Sequence, residues 1–78
     1  MHLTYDARLN VAYLRLREKT EQVQTVRVSD ELNVDIAPDG TVYGVEFLNA
    51  NAQLRDDGGR LVYRDEVSGE QREFPLSR

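Results

Sequence analysis

Residues 32–48 read LNVDIAPDGTVYGVEFL and decide the fold of this chain. Apolar residues alternate with polar or small ones on either side of the centre, the period of two that buries one face of a strand. The centre is built for a turn, because Pro38 presets φ, Asp39 suits the second central position and Gly40 adopts left-handed conformations. The pattern predicts a β-hairpin whose structural turn is formed by Pro38, Asp39 and Gly40.

Gly44 interrupts the second arm of this hairpin. A glycine in mid-strand lowers stability, so its presence predicts a bulge or the close approach of another segment. The approaching segment is expected to be a helix at 49–55 or a second subunit.

The residues before the hairpin predict three more strands, at 2–5, 11–17 and 23–28, with a polar loop at 18–22. The 11–17 strand is apolar on both faces, which favours a central position. A helix is the less favoured reading there, because β-branched and aromatic residues are frequent and a capping box is absent. The apolar phase breaks between Val23 and Val26, which indicates a bulge or a late strand start.

The residues after the hairpin change period. Residues 49–55 predict a helix of at most two turns, with Asn49 as its N-cap and 56–59 as its end. Residues 60–76 predict a second hairpin with a thin apolar face, in which Pro75 requires an edge position. The predicted fold class is α+β, mainly an antiparallel β-meander of about five strands with one short helix and a C-terminal β-hairpin. Residues 1–57 are predicted to form the meander with its helix. Residues 58–78 are predicted to form a hairpin extension of the same single domain.

Composition limits the function classes. A chain of 78 residues forms one domain with a marginal core. The absence of cysteine excludes disulfides and thiolate metal sites. No signal-peptide or membrane-span pattern is present, so a cytoplasmic location and no membrane partner are expected. With a net charge of -4 and no basic patch, no nucleic-acid partner is expected.

Acidic side chains are the strongest candidates for chemistry. The set comprises Asp6, Asp30, Glu31, Asp35 and Glu46. Asp35 and Glu46 are expected to be close on an outward strand face, where paired carboxylates supply an acid and a base or bind a hard cation. The favoured alternative is a solvated face with Arg15 or Arg27 as cross-strand partners. No catalytic residue, cofactor, cofactor-binding residue or metal ligand is therefore predicted.

The aromatic residues and the single histidine allow weaker hypotheses. The tyrosines are Tyr5, Tyr13, Tyr43 and Tyr63. Exposed tyrosines stack bases in single-strand binders, but packing within a small sheet is the favoured reading here. His2 lies near the terminus without a partner at catalytic spacing.

Several short motifs resemble a known family. They are Tyr5-Asp6, Ala12-Tyr13-Leu14-Arg15-Leu16, Asn33-Val34-Asp35-Ile36, Asp39-Gly40 and Gly44-Val45-Glu46-Phe47-Leu48. Together, over about residues 2–54, they resemble the YuzE-like family of small bacterial proteins, a domain of unknown function. The family pattern has an acidic residue where this chain has Asn10. The resemblance implies a small antiparallel sheet with a short helix and no established activity, and some relatives are encoded beside small toxin-like proteins.

The favoured function is a non-enzymatic protein-binding module, an antitoxin-like partner of a small toxin-like protein. The first alternative is a small metal-dependent or acid/base enzyme using Asp6, Asp35 and Glu46, which requires these carboxylates in one cavity. The second alternative is single-stranded nucleic-acid binding on a Tyr/Arg sheet face.

A homodimer is also predicted, because the core is small and the 11–17 strand has two apolar faces. The residues predicted for its interface are Gly44, Val11, Tyr13, Tyr63 and Phe74.

Overall fold

A computed structural model describes residues 1–18, 22–55 and 58–76. In chain order the elements are β1 (His2–Asp6), β2 (Val11–Arg15), β3 (Gln24–Ser29), β4 (Leu32–Ile36), β5 (Val42–Leu48), α1 (Ala50–Leu54), β6 (Arg60–Arg64) and β7 (Gln71–Pro75). Part of the predicted 18–22 loop and part of the predicted helix end at 56–59 lie outside the described residues. None of the described helices is long and apolar enough to cross a membrane.

The first five strands form one antiparallel sheet in the order β1-β2-β5-β4-β3, and β6 and β7 form a separate two-stranded sheet. The predicted α+β class is confirmed. The strand order departs from a simple meander, because β5 is inserted between β2 and β4. Burial explains this placement. Every residue of β5 is buried or half-buried, whereas every residue of β3 is exposed, so the more apolar strand occupies the centre.

The central hairpin joins β4 to β5 through the predicted turn. The Gly40 N–H donates to the Ala37 carbonyl at 2.9 Å, and Gly40 has a φ of 90°. The Asp39 carboxylate accepts a hydrogen bond from the Thr41 N–H at 2.9 Å. The turn therefore combines an Asx-type hydrogen bond with a glycine in the left-handed region.

Two register shifts bend the sheet. One lies between Asp35 and Ile36 of β4, where β4 pairs with β5. The other lies between Arg27 and Ser29, where β3 pairs with β4. The third strand therefore starts late, at Gln24, and its bulge lies at the far end of the strand rather than between Val23 and Val26.

The register separates an apolar face from a polar face, because side chains paired across strands share a face. One apolar row crosses all five strands, in the order Leu3, Leu14, Val45, Val34, Val26. Helix α1 covers the β1 and β2 end of this face, where Ala50 is fully buried and Leu54 shares a crevice with Leu3. At the opposite end of the row, Val26 is 40% exposed.

Asn49 is the N-cap residue of α1, as predicted, but the side chain that caps the helix comes from another residue. Asn49 has a φ of 52° and its side chain makes no capping hydrogen bond. Instead the Asn10 side-chain oxygen accepts from the Asn51 N–H at 2.7 Å, and the Asn10 carbonyl accepts from the Ala50 N–H at 3.0 Å. The Asn49 side chain is engaged elsewhere, because its oxygen accepts from the Asn10 amide at 3.1 Å and its amide nitrogen donates to Glu31 at 2.7 Å. The turn after β1 therefore caps the helix from a distance in sequence.

The chain has a large surface for its mass. Its accessible area is 5956 Å² at 9.0 kDa, whereas a compact monomer of this mass exposes about 4,900 Å². The radius of gyration is 14.0 Å, compared with about 11.5 Å for a compact domain of this length. The buried hydrophobic residues in the described ranges are Ala12, Ala37, Tyr43 and Ala50. Much apolar surface thus remains outside the core.

Candidate functional site

A cleft of about 350 Å³ lies on the polar face of the sheet, lined by Tyr13, Thr25, Asp35 and Glu46. Strand register brings these residues together. Asp35 pairs with Thr25 on one side and with Gly44 on the other. Glu46 pairs with Tyr13 on the next row of the same face. We call this the polar cleft.

Asp35 is the fixed element of the polar cleft. It is 8% exposed, and its carboxylate accepts hydrogen bonds from the Tyr13 hydroxyl at 2.8 Å and from the Thr25 hydroxyl at 2.7 Å. Hydrogen bonds to an ionised acceptor are stronger than neutral ones, and they offset the cost of removing the carboxylate from water. Asp35 therefore holds the Thr25 side chain of the adjacent strand β3 and, across β5, the Tyr13 side chain of β2.

Gly44 makes room for this arrangement. A Cβ atom at residue 44 would overlap the hydroxyl oxygen and the ring carbon Cζ of Tyr13. The segment that approaches Gly44 is therefore the Tyr13 ring of the neighbouring strand, and the expectation of the 49–55 helix at this position is wrong. A strand register was needed to see this, because Arg15 rather than Tyr13 is the direct partner of Gly44. The alternative of a second subunit stays a prediction.

Glu46 has a neutral partner as well. Its carboxylate accepts a hydrogen bond from the Asn33 side chain at 2.9 Å. The arginines expected as cross-strand partners have other contacts: Arg15 lies 3.2 Å from His2 Nδ1, and Arg27 forms an ion pair of 2.9 Å with Asp30. The polar cleft therefore presents two carboxylates held by hydroxyl and amide groups.

The other predicted acids lie elsewhere. Asp6 accepts hydrogen bonds from the Arg8 side chain and from backbone N–H groups in the turn after β1. The Arg8 side chain is the main reason why the pKa of Asp6 is lowered. Glu31 accepts from Asn49 beside α1. Within residues 1–18, 22–55 and 58–76, no group of three or more His, Cys, Asp or Glu side chains could hold a metal ion.

A second region of interest is the outer face of the C-terminal hairpin. Leu61 pairs with Phe74 across the two strands, and Tyr63 follows Leu61 on the same face. These side chains are 46%, 49% and 53% exposed, respectively. On the other face Arg60 forms an ion pair of 2.9 Å with Glu73. We call the surface of Leu61, Tyr63 and Phe74 the hairpin face.

The hairpin is attached to the sheet at its base. Leu76 enters the crevice formed by Leu3, Tyr5 and Leu54, and its carbonyl accepts a hydrogen bond from Arg55 at 3.4 Å. The base of the hairpin thus packs against its own chain, while the hairpin face stays open.

The residues predicted for an interface fall into separate regions. Tyr13 lines the polar cleft, and Gly44 is buried next to the Tyr13 ring. Val11 is half-buried at the start of β2. Tyr63 and Phe74 belong to the hairpin face. Sequence reasoning did not single out Leu61 or Thr25, although each lies at a spacing of two from a residue of the same face, which is the signal that identifies them.

Comparison with protein families identifies one match, the family described as "Protein of unknown function (DUF2283)", over residues 2–51. The match covers the five-stranded sheet and the start of α1, and it ends before the hairpin. Searches of curated proteins and of solved structures gave no match.

Proposed function

Since this chain belongs to the DUF2283 family, whose function is unknown, we propose from its geometry that it is a non-enzymatic protein-binding module that binds through the hairpin face. One observation carries the proposal. The side chains of Leu61, Tyr63 and Phe74 are each about half exposed on one side of a hairpin whose base packs against the sheet through Leu76.

The amount of uncovered surface fits a protein partner. The accessible area exceeds that of a compact monomer by roughly 1,100 Å², and a standard interface buries about 800 Å² per partner. Aromatic side chains are enriched at the energetic centre of such interfaces, because they bury large areas with little loss of conformational entropy. Tyr63 and Phe74 supply two such anchors, and Arg60 and Glu73 on the opposite face keep that side solvated.

The partner class follows from the resemblance to the YuzE-like family. Some of those relatives are encoded beside small toxin-like proteins, so the proposed partner is a small protein encoded next to this chain, with this chain in an antitoxin-like role. The net charge of -4 supports a partner with a basic surface, because opposite charges accelerate and orient association.

The test is a binding titration between the purified chain and the product of the adjacent gene. The Tyr63→Ala and Phe74→Ser variants should each weaken binding by about tenfold or more, the loss expected for buried interface anchors. The matched control is Val67→Ser, because Val67 is 99% exposed in the hairpin loop, outside the hairpin face. Far-UV circular dichroism checks that each variant keeps its strands. Unchanged binding by folded hairpin-face variants would refute the proposal.

The enzyme alternative has less support. It requires Asp6, Asp35 and Glu46 in one cavity, but Asp6 ends β1 and accepts hydrogen bonds from the turn that follows, while Asp35 and Glu46 line the polar cleft. Calorimetric titration with zinc, manganese and calcium should give no stoichiometric micromolar binding, because two carboxylates with fixed protein donors are too few ligands for a strong site. A stoichiometric micromolar site that disappears in Asp35→Asn would favour the enzyme instead.

Single-stranded nucleic-acid binding is the least supported candidate. It needs tyrosines on one exposed face, whereas Tyr43 is 7% exposed, Tyr5 lines the crevice under α1 and Tyr13 is bonded to Asp35. The remaining tyrosine, Tyr63, lies on the separate hairpin.

A further inference from the structure

The free edge of β3 carries an inference that goes beyond the hairpin face. Strand β3 is at the end of the sheet, and all of its residues are exposed. Val26 and Val28 are 40% and 58% exposed. Because an edge strand presents backbone N–H and C=O groups without strand partners, it is a template for pairing with another chain. The first question is which pairing this strand permits.

Backbone geometry restricts how two copies of β3 pair antiparallel. The outward N–H and C=O groups of an edge strand belong to alternate residues, and so do the side chains of each face. Even-numbered residues of one copy must therefore lie opposite even-numbered residues of the other, and odd-numbered opposite odd-numbered. Apolar side chains thus lie beside apolar side chains, and polar beside polar, across the junction. The registers that meet this condition are centred on Thr25, Val26 or Arg27.

Charge and length select among these registers. A centre at Arg27 places two arginines opposite each other, which is destabilising. A centre at Thr25 leaves Gln24 and Val26 as its only flanking pair within β3. A register centred on Val26 pairs the whole regular part of β3 with its counterpart. It places Arg27 of each copy opposite Thr25 of the other copy.

The Val26 register also completes both faces of the sheet. On the apolar face, Val26 meets its counterpart and extends the row that contains Val34 and Val45. On the polar face, Thr25 is the direct neighbour of Asp35, so Arg27 of the second copy lies in the row of Thr25 and Asp35 and projects toward the Asp35 carboxylate of the polar cleft. A guanidinium is planar and multidentate, which suits it to bind a carboxylate that already accepts other hydrogen bonds.

We propose that two copies of this chain pair antiparallel along β3 about Val26, and that Arg27 of each copy occupies the polar cleft of the other. In a single copy, Arg27 pairs with Asp30, and the two side chains are 67% and 95% exposed. Exposed ion pairs contribute little, so exchanging Asp30 for the cleft carries a small penalty. The dimer leaves the hairpin face free for the partner proposed above.

A disulfide trap tests the register directly. The chain contains no cysteine, so one substitution introduces the sole thiol. Val26→Cys should form a disulfide-linked dimer under mild oxidation, since directly opposite Cβ atoms in an antiparallel pair lie near the separation that a disulfide requires. Val67→Cys is the matched control, exposed in the hairpin loop, and should stay largely monomeric. Equal cross-linking of the two variants, or none at residue 26, would overturn the pairing.

A charge reversal tests the role of Arg27. Light scattering at micromolar concentration should give twice the 9.0 kDa chain mass for the wild type. Arg27→Glu should weaken the dimer by about tenfold or more, because it directs a carboxylate toward Asp35 of the other copy. Arg64→Glu is the control for net charge.

The hairpin variants separate this proposal from the proposed function. Phe74→Ser should keep the dimer while it loses the partner protein. A wild-type monomer, a dimer that Arg27→Glu leaves intact, or a dimer abolished by Phe74→Ser would overturn the β3 pairing and leave the partner titration unaffected.

Discussion

The two hairpins of this chain have the same turn chemistry but different structural surroundings. In the β4–β5 hairpin Asp39 accepts a backbone hydrogen bond and Gly40 has a positive φ. In the β6–β7 hairpin Asp65 accepts from the Val67 and Ser68 N–H groups and Gly69 has a φ of 78°. The first hairpin is flanked by β2 and β3 within one sheet, whereas the two strands of the second form a separate two-stranded sheet among the described residues.

The difference shows that local signals form a hairpin but neighbours decide what it does. The central hairpin contributes buried groups such as Tyr43 and Asp35. The C-terminal hairpin keeps Leu61 and Phe74 about half exposed and rests on Leu76. Stability therefore resides mainly in residues 2–54, and the apolar surface available for binding resides mainly in residues 60–76.

The largest effect is expected from Gly44→Ala in the sheet. The new methyl group overlaps the Tyr13 ring, so the ring must move and its hydrogen bond to Asp35 is weakened. Overpacking together with a disturbed buried hydrogen bond should lower the free energy of unfolding by about 2–4 kcal/mol. Urea denaturation measures the change.

A double-mutant cycle identifies the cause of that loss. In a Tyr13→Ala background the added methyl group meets no ring, so Gly44→Ala should become nearly neutral. An equal penalty in both backgrounds would mean that the backbone at residue 44, rather than Tyr13, requires glycine.

The next effect compares the two turns. Gly40 and Gly69 both have positive φ values, and a Cβ atom at either position meets nothing within 4 Å. A β-branched residue therefore imposes a similar backbone strain at each, about 1–3 kcal/mol. Gly40→Val should lower the melting temperature of the whole sheet. Gly69→Val should loosen the hairpin and change the global melting temperature much less. Equal shifts would show that the two regions unfold as one unit.

The smallest effect is the acid response of the two turns. Hydrogen bonding to Thr41, its side chain first, lowers the pKa of Asp39, and the Ser68 N–H is the main cause of the lowered pKa of Asp65. A depressed folded pKa stabilises the turn above the ordinary value of 3.8, and this contribution is lost as the pH falls through the folded value.

Carboxyl resonances followed by NMR between neutral and acidic pH test this response. Both midpoints should lie below 3.8. In Ser68→Pro, which removes the donor N–H, the Asp65 midpoint should move upward while Asp39 stays in place. A midpoint at or above the ordinary value in the wild type would show that the turn hydrogen bonds do not persist in solution.

Much of the fold follows from local pattern. Period-two alternation and the Pro38-Asp39-Gly40 turn predicted the central hairpin, and the change of period after Leu48 predicted α1. Strand order could not be predicted in this way, because β5 joins β2 through contacts distant in sequence. The Asn10 cap was missed for the same reason: its acceptor atoms reach Ala50 and Asn51 through the folded chain.

The polar cleft was predicted in part. Alternation placed Asp35 and Glu46 outward on neighbouring strands, and the structure brings them to one cleft. Their hydroxyl partners, Tyr13 and Thr25, depend on registers between strands that no local motif specifies. Gly44 indicated a close approach, but the residue that approaches becomes evident only when β2 and β5 are paired.

Amide hydrogen exchange of the full chain, alone and with the product of the adjacent gene, tests the central claim most directly. In the free protein the amides of β2 and β5 should be well protected and those of residues 60–64 and 71–75 should exchange faster, because none of the described strands outside the hairpin pairs with it. Binding of the partner should slow exchange in residues 60–64 and 71–75 and leave β2 and β5 unchanged. A bound complex in which the hairpin amides exchange as fast as in the free protein would contradict the assignment of the hairpin face as the binding surface.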